Sequence, residues 1–132
     1  MQFYAGLAQA PLFIPSVGHF HQGMLVNIPM PSQAMDRIDS IEQVQQVLAS
    51  RYEYEPCVKI HAPNAIDALE SGFLDPQENN HTNRIDIFVY GNDKQMLLIS
   101  RLDNLGKGAS GAAVQNLNLM LGVDELTGLT LV

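Results

Sequence analysis

A glycine-rich segment at residues 106–111 carries the clearest chemical pattern in the sequence. Its letters, GKGASG, match the GxGxxG spacing of a dinucleotide-binding turn, in which backbone N–H groups approach a pyrophosphate. That fingerprint needs a parallel strand–helix–strand unit, but only residues 123–132 follow the predicted helix, so we reject a Rossmann-type site. Two interpretations remain open. The helix N-terminus and Lys107 favour an anion or a carboxamide oxygen, or the small residues merely allow close packing.

The histidine and cysteine residues do not form a metal or nucleophile pattern. His19 and His21 share a face if their segment is extended, so they could ligate a metal or exchange protons. A catalytic zinc needs a third protein ligand, and none lies nearby in the sequence, so we predict no metal site. Cys57 lies in a predicted strand without a neighbouring histidine, which indicates a packed thiol rather than a nucleophile. The carboxylates between residues 36 and 86 are predicted to form a solvated face.

Composition excludes several classes of partner. The chain has 132 residues, with 14 acidic side chains against 7 Lys and Arg, which gives a net charge of −7. Such a chain offers no basic surface to nucleic acid and little attraction to an anionic membrane. It also lacks the apolar run of ~20 residues that a membrane helix needs, and its single cysteine suits a reducing compartment. We expect a cytoplasmic protein with no nucleic-acid or membrane partner.

Charge is unevenly distributed along the chain. Residues 1–35 and residues 108–123 contain no Asp, Glu, Lys or Arg, although a domain of this composition normally exposes several in stretches of that length. Two such segments predict surfaces that are buried against another subunit or a neighbouring domain. The alternative is that the two segments bury each other.

Periodicity and turn signals in the sequence predict the strands and helices that position these residues. Short apolar or alternating runs predict five strands, at residues 11–16, 23–28, 57–61, 84–90 and 94–102. The last two flank a glycine-containing turn at residues 91–93 and predict an antiparallel hairpin. Residues 64–83, rich in Asn, Asp, Gly and Pro, predict a long surface excursion with little regular structure.

Two helices are predicted between these strands and after them. Ser40 and Gln43 form a capping-box pattern ahead of a helix at residues 41–54. The second helix, at residues 107–121, ends at Gly122. The order of elements predicts the α+β class, with a mixed or antiparallel sheet covered by helices.

The segment from Leu102 to Asn116, LDNLGKGASGAAVQN, continues as LNLMLG and resembles the terminal helix of N-acetyl-gamma-glutamyl-phosphate reductases. Aspartate-semialdehyde dehydrogenases carry a related segment. The resemblance covers most of the chain, since it also extends to residues 11–18, 22–26, 51–58 and 83–84. It implies one domain, residues 1–132, with the fold of the C-terminal domain of glyceraldehyde-3-phosphate dehydrogenase-like enzymes.

The resemblance implies a function in arginine biosynthesis. The family reduces an acyl phosphate to an aldehyde with NADP as cofactor, through a cysteine thiolate and an assisting histidine, both expected upstream of Met1. This chain would then bind the acyl phosphate substrate and form a homodimer or homotetramer, with residues 107–121 packed on a nucleotide-binding domain or a partner chain. It would be inactive alone. The alternatives are a non-catalytic assembly module and a small-ligand binding domain that uses the glycine-rich terminus.

The resemblance also names site residues, none of them catalytic. Asn104 is implied to contact the nicotinamide carboxamide, whose donor and acceptor its side chain can mirror. Lys107 and Gly108 would lie beside it. The residues implied to face the substrate are Ser16, Gln22 and Gly23. Gln22 stands where many relatives have Arg, which removes a charge-assisted contact.

Overall fold

The protein folds around a four-stranded mixed sheet. A computed structural model describes residues 2–31 and 40–132, and its strands are β1 (Met24–Pro31), β2 (Val58–Ile60), β3 (Ile85–Asn92) and β4 (Gln95–Leu102). They lie in the order β1-β4-β3-β2, and every pair is antiparallel except β2 with β3. The helices are α1 (Gln2–Ala5), α2 (Ile41–Arg51) and α3 (Gly111–Leu121). The predicted α+β class with a mixed sheet is confirmed.

The hairpin of β3 and β4 forms the centre of the sheet. Asn92 pairs with Gln95, so the loop is the two residues between them, slightly further along the chain than predicted. The Asn92 side-chain oxygen accepts the N–H of Lys94 at 2.9 Å and closes the turn. Gly91 has a φ of 126°, and a Cβ there would overlap the Gln95 carbonyl, so only glycine fits. The predicted hairpin is confirmed.

Helix α2 covers one face of the sheet. Ser40 is its N-cap, and the Oγ accepts the N–H of Gln43 at 3.3 Å, as the capping pattern predicts. The helix ends at Arg51 rather than at the predicted Tyr54, because the chain turns over residues 52–54. A buried apolar cluster joins helix and sheet, and its members are Ile41, Val44, Val89 and Met96.

The opposite face of the sheet is covered by the excursion at residues 64–83. One short 3₁₀ turn, Ile66–Ala68, is its regular structure, as predicted. The excursion also contributes to the hydrophobic core, because Ala65 packs in a second buried cluster with Phe88 and Ile99. The Tyr90 hydroxyl donates to the Ala65 carbonyl at 2.9 Å and fixes the excursion to β3.

The predicted strand at residues 11–16 is wrong. Its backbone joins no sheet in the described part of the chain, and Pro11 and Pro15 lack two of the N–H donors that a ladder would use. Leu12, Phe13 and Ile14 are largely exposed. An apolar run without alternation cannot distinguish a strand from an extended segment that lies on the surface.

The second predicted helix is divided into two parts. Gly106–Ser110 form a π-helical turn, and α3 begins only at Gly111. The end of the helix is as predicted, because Gly122 adopts a left-handed φ of 68° and its N–H bonds to carbonyls of the last turn.

Where the structure describes them, at residues 2–31 and 108–123, the two uncharged segments do not bury each other. Phe3, Tyr4 and Val17 in the first segment are almost fully exposed, and so is Met120 in the second. The alternative of mutual burial is therefore wrong, and burial against another subunit or domain stays a prediction. Within residues 2–31 and 40–132, none of the helices has the length and apolar character that crossing a bilayer requires.

Candidate functional site

The start of β1 and the end of β4 lie side by side at one end of the strands, because Met24 pairs with Leu102. The residues just outside that pair therefore face each other. The Gly23 N–H donates to Asn104 Oδ1 at 2.7 Å, and Gln22 Nε2 donates to Asp103 Oδ2 at 3.0 Å. The antiparallel register thus brings three residues expected from the resemblance into one place: Gln22, Gly23 and Asn104.

Asp103 organises this edge although sequence reasoning did not select it. Only 2% of its surface is exposed. Besides Gln22, it accepts the backbone N–H groups of His81 at 2.8 Å, Leu105 at 2.9 Å and Gly106 at 3.0 Å. Burial alone would raise the pKa of Asp103, but these backbone N–H groups outweigh it and hold that pKa below its usual value. The local signal was available, since an Asp commonly accepts N–H groups two and three residues ahead.

His81 is the second residue that sequence reasoning missed. Its backbone has a φ of 65°, in the left-handed region that residues with a Cβ rarely occupy. The imidazole Nδ1 lies 3.3 Å from Gln22 Nε2. Asn80, the residue before it, donates from its side chain to the Gln22 carbonyl at 3.1 Å. Gln22 is therefore held from both its backbone and its side chain.

The glycine-rich turn is filled by the protein's own carboxylate. The N–H groups of Gly106 and of the preceding Leu105 go to the Asp103 side chain, and the Gly108 N–H goes to the Asp103 carbonyl at 2.8 Å. A Cβ on Gly106 would lie 2.9 Å from Asp103 Oδ2, and a Cβ on Gly111 would overlap the Asn83 side-chain oxygen. These two glycines are therefore explained by close packing.

Gly108 lies beside Asn104, since a Cβ on it would be 3.8 Å from Asn104 Cβ, but neither Lys107 nor Gly108 lines the pocket that contains Asn104. Lys107 Nζ donates to Gln115 Oε1 at 2.7 Å, and Gln115 Nε2 donates to Glu125 Oε2 at 2.9 Å. The lysine is thus engaged along α3 and the segment that follows it. Gly108 is exposed on the turn.

Two clefts flank the paired strand ends. The first, of about 340 Å³, is lined by residues that include Gln22, His81, Asp103 and Ser110. Its far wall is residues 128–130, held in place because the Asn83 N–H donates to the Thr130 carbonyl.

The second cleft, of about 470 Å³, contains Ser16, Gly23 and Asn104. The structure therefore gathers three predicted site residues in the second cleft and assigns Gln22 to the first.

Asn104 presents only part of its amide to the second cleft. Its oxygen already accepts the Gly23 N–H, which leaves one of its two lone pairs for a ligand donor. The side-chain nitrogen is the group best placed to meet a ligand, and it would donate to a carbonyl oxygen. Only glycine fits at position 23, because a Cβ there would lie 2.5 Å from the Pro76 carbonyl oxygen.

The histidines and Cys57 are the other candidates for chemistry in the sequence. Among the described residues, no three His, Cys, Asp or Glu side chains come together as a possible metal site. Cys57 is buried, 2% exposed, and its sulfur lies 3.4 Å from the donor Asn83 Nδ2. This is the packed thiol that the sequence predicts.

One carboxylate of the middle section is not solvated, contrary to prediction. Asp86 is fully buried, 0% exposed, and its oxygens lie 2.8 Å from Arg101 Nη2, 2.9 Å from Arg84 Nε and 3.4 Å from His61 Nε2. Burial alone would raise the pKa of Asp86, but His61, Arg101 and Arg84 outweigh it and hold that pKa far below its usual value. The cluster joins His61 and Arg84, which flank the excursion, to β3 and β4, and none of its members lines either of the two clefts.

The fold agrees with what comparison with known proteins shows. The chain belongs to the family described as semialdehyde dehydrogenase, dimerisation domain, whose model matches residues 1–104. Among curated relatives, the chain is 52% identical over 132 residues to N-acetyl-gamma-glutamyl-phosphate reductase 2 of Nostoc sp. (strain PCC 7120 / SAG 25.82 / UTEX 2576), covering 98% of this chain and 41% of that protein.

Two further relatives carry the name N-acetyl-gamma-glutamyl-phosphate reductase. The protein of Trichormus variabilis is 51% identical over 98% of this chain and 41% of its own length. That of Burkholderia cenocepacia (strain HI2424) is 42% identical over 90% of this chain and 38% of its own length. The resemblance seen in the sequence is confirmed, and the chain spans about two fifths of the length of the curated relatives it matches.

Proposed function

We propose that this chain is the substrate-binding and oligomerisation domain of an NADP-dependent reductase in arginine biosynthesis. The reaction would convert N-acetyl-glutamyl phosphate and NADPH into N-acetylglutamate semialdehyde, phosphate and NADP. The observation that carries the proposal is the contact of Gly23 with Asn104, which directs one predicted cofactor residue into a cleft shared with Ser16. The reductase names of the relatives supply the reaction class.

Asn104 is the residue of this chain that would hold the cofactor. Its oxygen is anchored by Gly23, so its side-chain nitrogen would donate to the carboxamide oxygen of the nicotinamide ring. The bound cofactor supplies the hydride. Cys57 is buried and accepts a hydrogen bond from Asn83, so it would not be the nucleophile. The thiolate and its histidine would come from the remainder of the reductase.

The partners in this proposal are a small acyl phosphate and further subunits. Met24, Val26 and Ile28 lie on one face of β1, are 37%, 40% and 53% exposed, and would form part of a homodimer or homotetramer interface. Helix α3 would pack on the nucleotide-binding domain. The enzyme would work in the cytoplasm, which suits a protein that has a free cysteine.

A chimera tests the proposal. The matching segment of the Nostoc reductase is replaced by this chain, and NADP reduction is followed with N-acetylglutamate semialdehyde and phosphate. We expect turnover within about tenfold of the parent enzyme, and Asn104→Leu in the chimera should raise the KM for NADP about tenfold. Gln46→Leu, on the exposed side of α2, is the control. A folded chimera that reduces no NADP would contradict the proposal, and so would turnover by the 132 residues alone.

The second candidate function is a non-catalytic assembly module. The exposed apolar side chains of β1 and α3 favour it as much as they favour a subunit interface in an enzyme. Native mass spectrometry of this chain mixed with intact Nostoc reductase would detect hetero-oligomers. Hetero-oligomers together with an inactive chimera would establish this candidate instead. Calorimetry with NADP tests the third, a small-ligand domain, and we expect no heat because Asp103 occupies the glycine-rich turn.

A further inference from the structure

His81 is built into the wall of the first cleft in one defined orientation. Its backbone is in the left-handed region, and its N–H donates to the buried Asp103 carboxylate at 2.8 Å. The side chain is exposed and lines the cleft with Ser110 and residues 128–130. Residues that their surroundings hold in this sparsely populated region cluster at functional sites.

The contacts of Gln22 determine which tautomer of His81 is present. Gln22 Nε2 lies 3.0 Å from Asp103 Oδ2 and 3.3 Å from His81 Nδ1. An ionised carboxylate only accepts hydrogen bonds, so the group of Gln22 beside Asp103 must be the NH₂ and not the oxygen. That NH₂ has two hydrogens, one for each neighbour. His81 Nδ1 is therefore the acceptor, and the proton of the neutral ring is on Nε2.

The cleft favours a neutral ligand oxygen over an anion. Asp103 lines it, so a phosphoryl or carboxylate group would be repelled by the buried negative charge. The Ser110 hydroxyl donates to the Leu105 carbonyl at 2.7 Å and is already committed. His81 is thus the side chain that can offer an N–H to a carbonyl oxygen entering this cleft.

We propose that His81 donates a hydrogen bond from Nε2 to the amide oxygen of an N-acyl amino acid, and that Gln22 is the positioning residue that keeps this proton on Nε2. His81 then favours the acylated substrate over the free amino acid, because only the acylated substrate carries an acyl oxygen that can accept its N–H. The choice of an N-acyl ligand rests on the proposed function, whereas the tautomer does not.

Nuclear magnetic resonance of the ¹⁵N-labelled chain tests the tautomer directly. At about pH 8, where an ordinary imidazole is neutral, the ratio of the Nε2–H to the Nδ1–H form in His81 should exceed that of His19 and His21 by about fivefold, the effect of one hydrogen bond. Gln22→Met should remove that excess, and the control Gln46→Met should keep it. A ratio in His81 equal to that of His19 and His21 would overturn the role of Gln22.

Three additives test the ligand. N-acetyl-L-glutamate should shift the His81 Nε2 resonance in a saturable way, and L-glutamate and inorganic phosphate should not. The shift should need a higher ligand concentration in Gln22→Met than in the wild type, and Gln46→Met should behave as the wild type. Equal shifts with L-glutamate, a shift with phosphate alone, or no shift with N-acetyl-L-glutamate would each overturn the assignment.

The chimera separates this inference from the proposed function. There, His81→Phe should raise the KM for N-acetylglutamate semialdehyde about tenfold while kcat stays within about twofold. Unchanged KM in an active chimera would refute the role of His81 alone, whereas a folded chimera without NADP reduction would refute the proposed function.

Discussion

Gly23 donates its backbone N–H to the Asn104 side-chain oxygen at 2.7 Å, across 81 positions of sequence. The orientation of the Asn104 amide is therefore set by the fold rather than by a ligand. Such pre-organisation lowers the entropy that binding would otherwise cost.

Replacing Gly23 by Ala should destabilise the chain by about 2 kcal/mol, because a strained backbone conformation and a steric overlap combine. The residue has a φ of 114°, and the new Cβ would lie 2.5 Å from the Pro76 carbonyl oxygen. Urea unfolding followed by circular dichroism measures the loss. Gly72→Ala is the matched control, since its φ is 84° but no atom lies within 4 Å of the new Cβ. Equal losses for the two variants would show that the contact with Pro76 is unimportant.

Gly111→Ala should also lower the free energy of unfolding, although its φ of −65° is ordinary for a helix. Helix propensity alone would favour Ala over Gly by about 1 kcal/mol. The new Cβ, however, would overlap the side-chain oxygen of buried Asn83. We expect a net loss of about 1–3 kcal/mol from overpacking. In an Asn83→Ala background the same substitution should become neutral or stabilising, and a double-mutant cycle that shows additivity would contradict this explanation.

Local signals predicted much of the fold because neighbouring residues determine them. The Ser40 cap, the β3–β4 hairpin and the end of α3 at Gly122 each depend on residues within a few positions. Residues 11–16 failed as a strand because a strand also needs a partner elsewhere in the chain. The burial of Asp86 was readable in principle, since alternation in β3 puts it on the same face as buried Phe88.

The candidate site was predicted only in part for a related reason. Asn104 and Gly23 entered through a resemblance, but their contact depends on the pairing of β1 with β4, which no local pattern specifies. The bonds of Asp103 to Leu105 and Gly106 are local, but its contacts with Gln22 and His81 join residues that are distant in sequence and could not be predicted. Once the register of Met24 with Leu102 is known, the meeting of residues 22–23 with 103–104 follows directly.

Asp86→Asn should cost about 3–5 kcal/mol, because it leaves the buried Arg101 without its counter-charge. The pKa of Asp86 is lower in the folded chain than its usual value of 3.8. The carboxylate therefore adds stability that is fully present above about pH 4 and is lost as the pH falls toward its folded pKa.

Urea unfolding between about pH 2 and pH 7 tests this assignment. The wild-type free energy of unfolding should fall more steeply below pH 4 than that of Asp86→Asn. Asp93→Asn, in the exposed hairpin loop, should change stability by less than about 0.5 kcal/mol. A pH dependence of Asp86→Asn that runs parallel to wild type would mean that other groups govern the acid transition.

Val26→Lys and Ile28→Lys should each weaken self-association about tenfold or more, because each puts a charge into an apolar face of β1. Sedimentation velocity of the chain over a range of concentrations measures the effect. Val47→Lys, on the exposed side of α2, changes charge in the same way and should leave the association constant unchanged. Equal weakening by all three variants would indicate a general charge effect rather than an interface on β1.

Strand β1 is an edge of the sheet, and two of its eight residues are Pro29 and Pro31. Proline cannot donate to a neighbouring backbone, and the strand at the other edge, β2, has only three residues. Neither edge strand therefore offers a long row of free backbone N–H groups to which a strand of another chain could add. Although the domain exposes much apolar surface, its sheet edges therefore resist fibril formation before newly made copies assemble with another subunit.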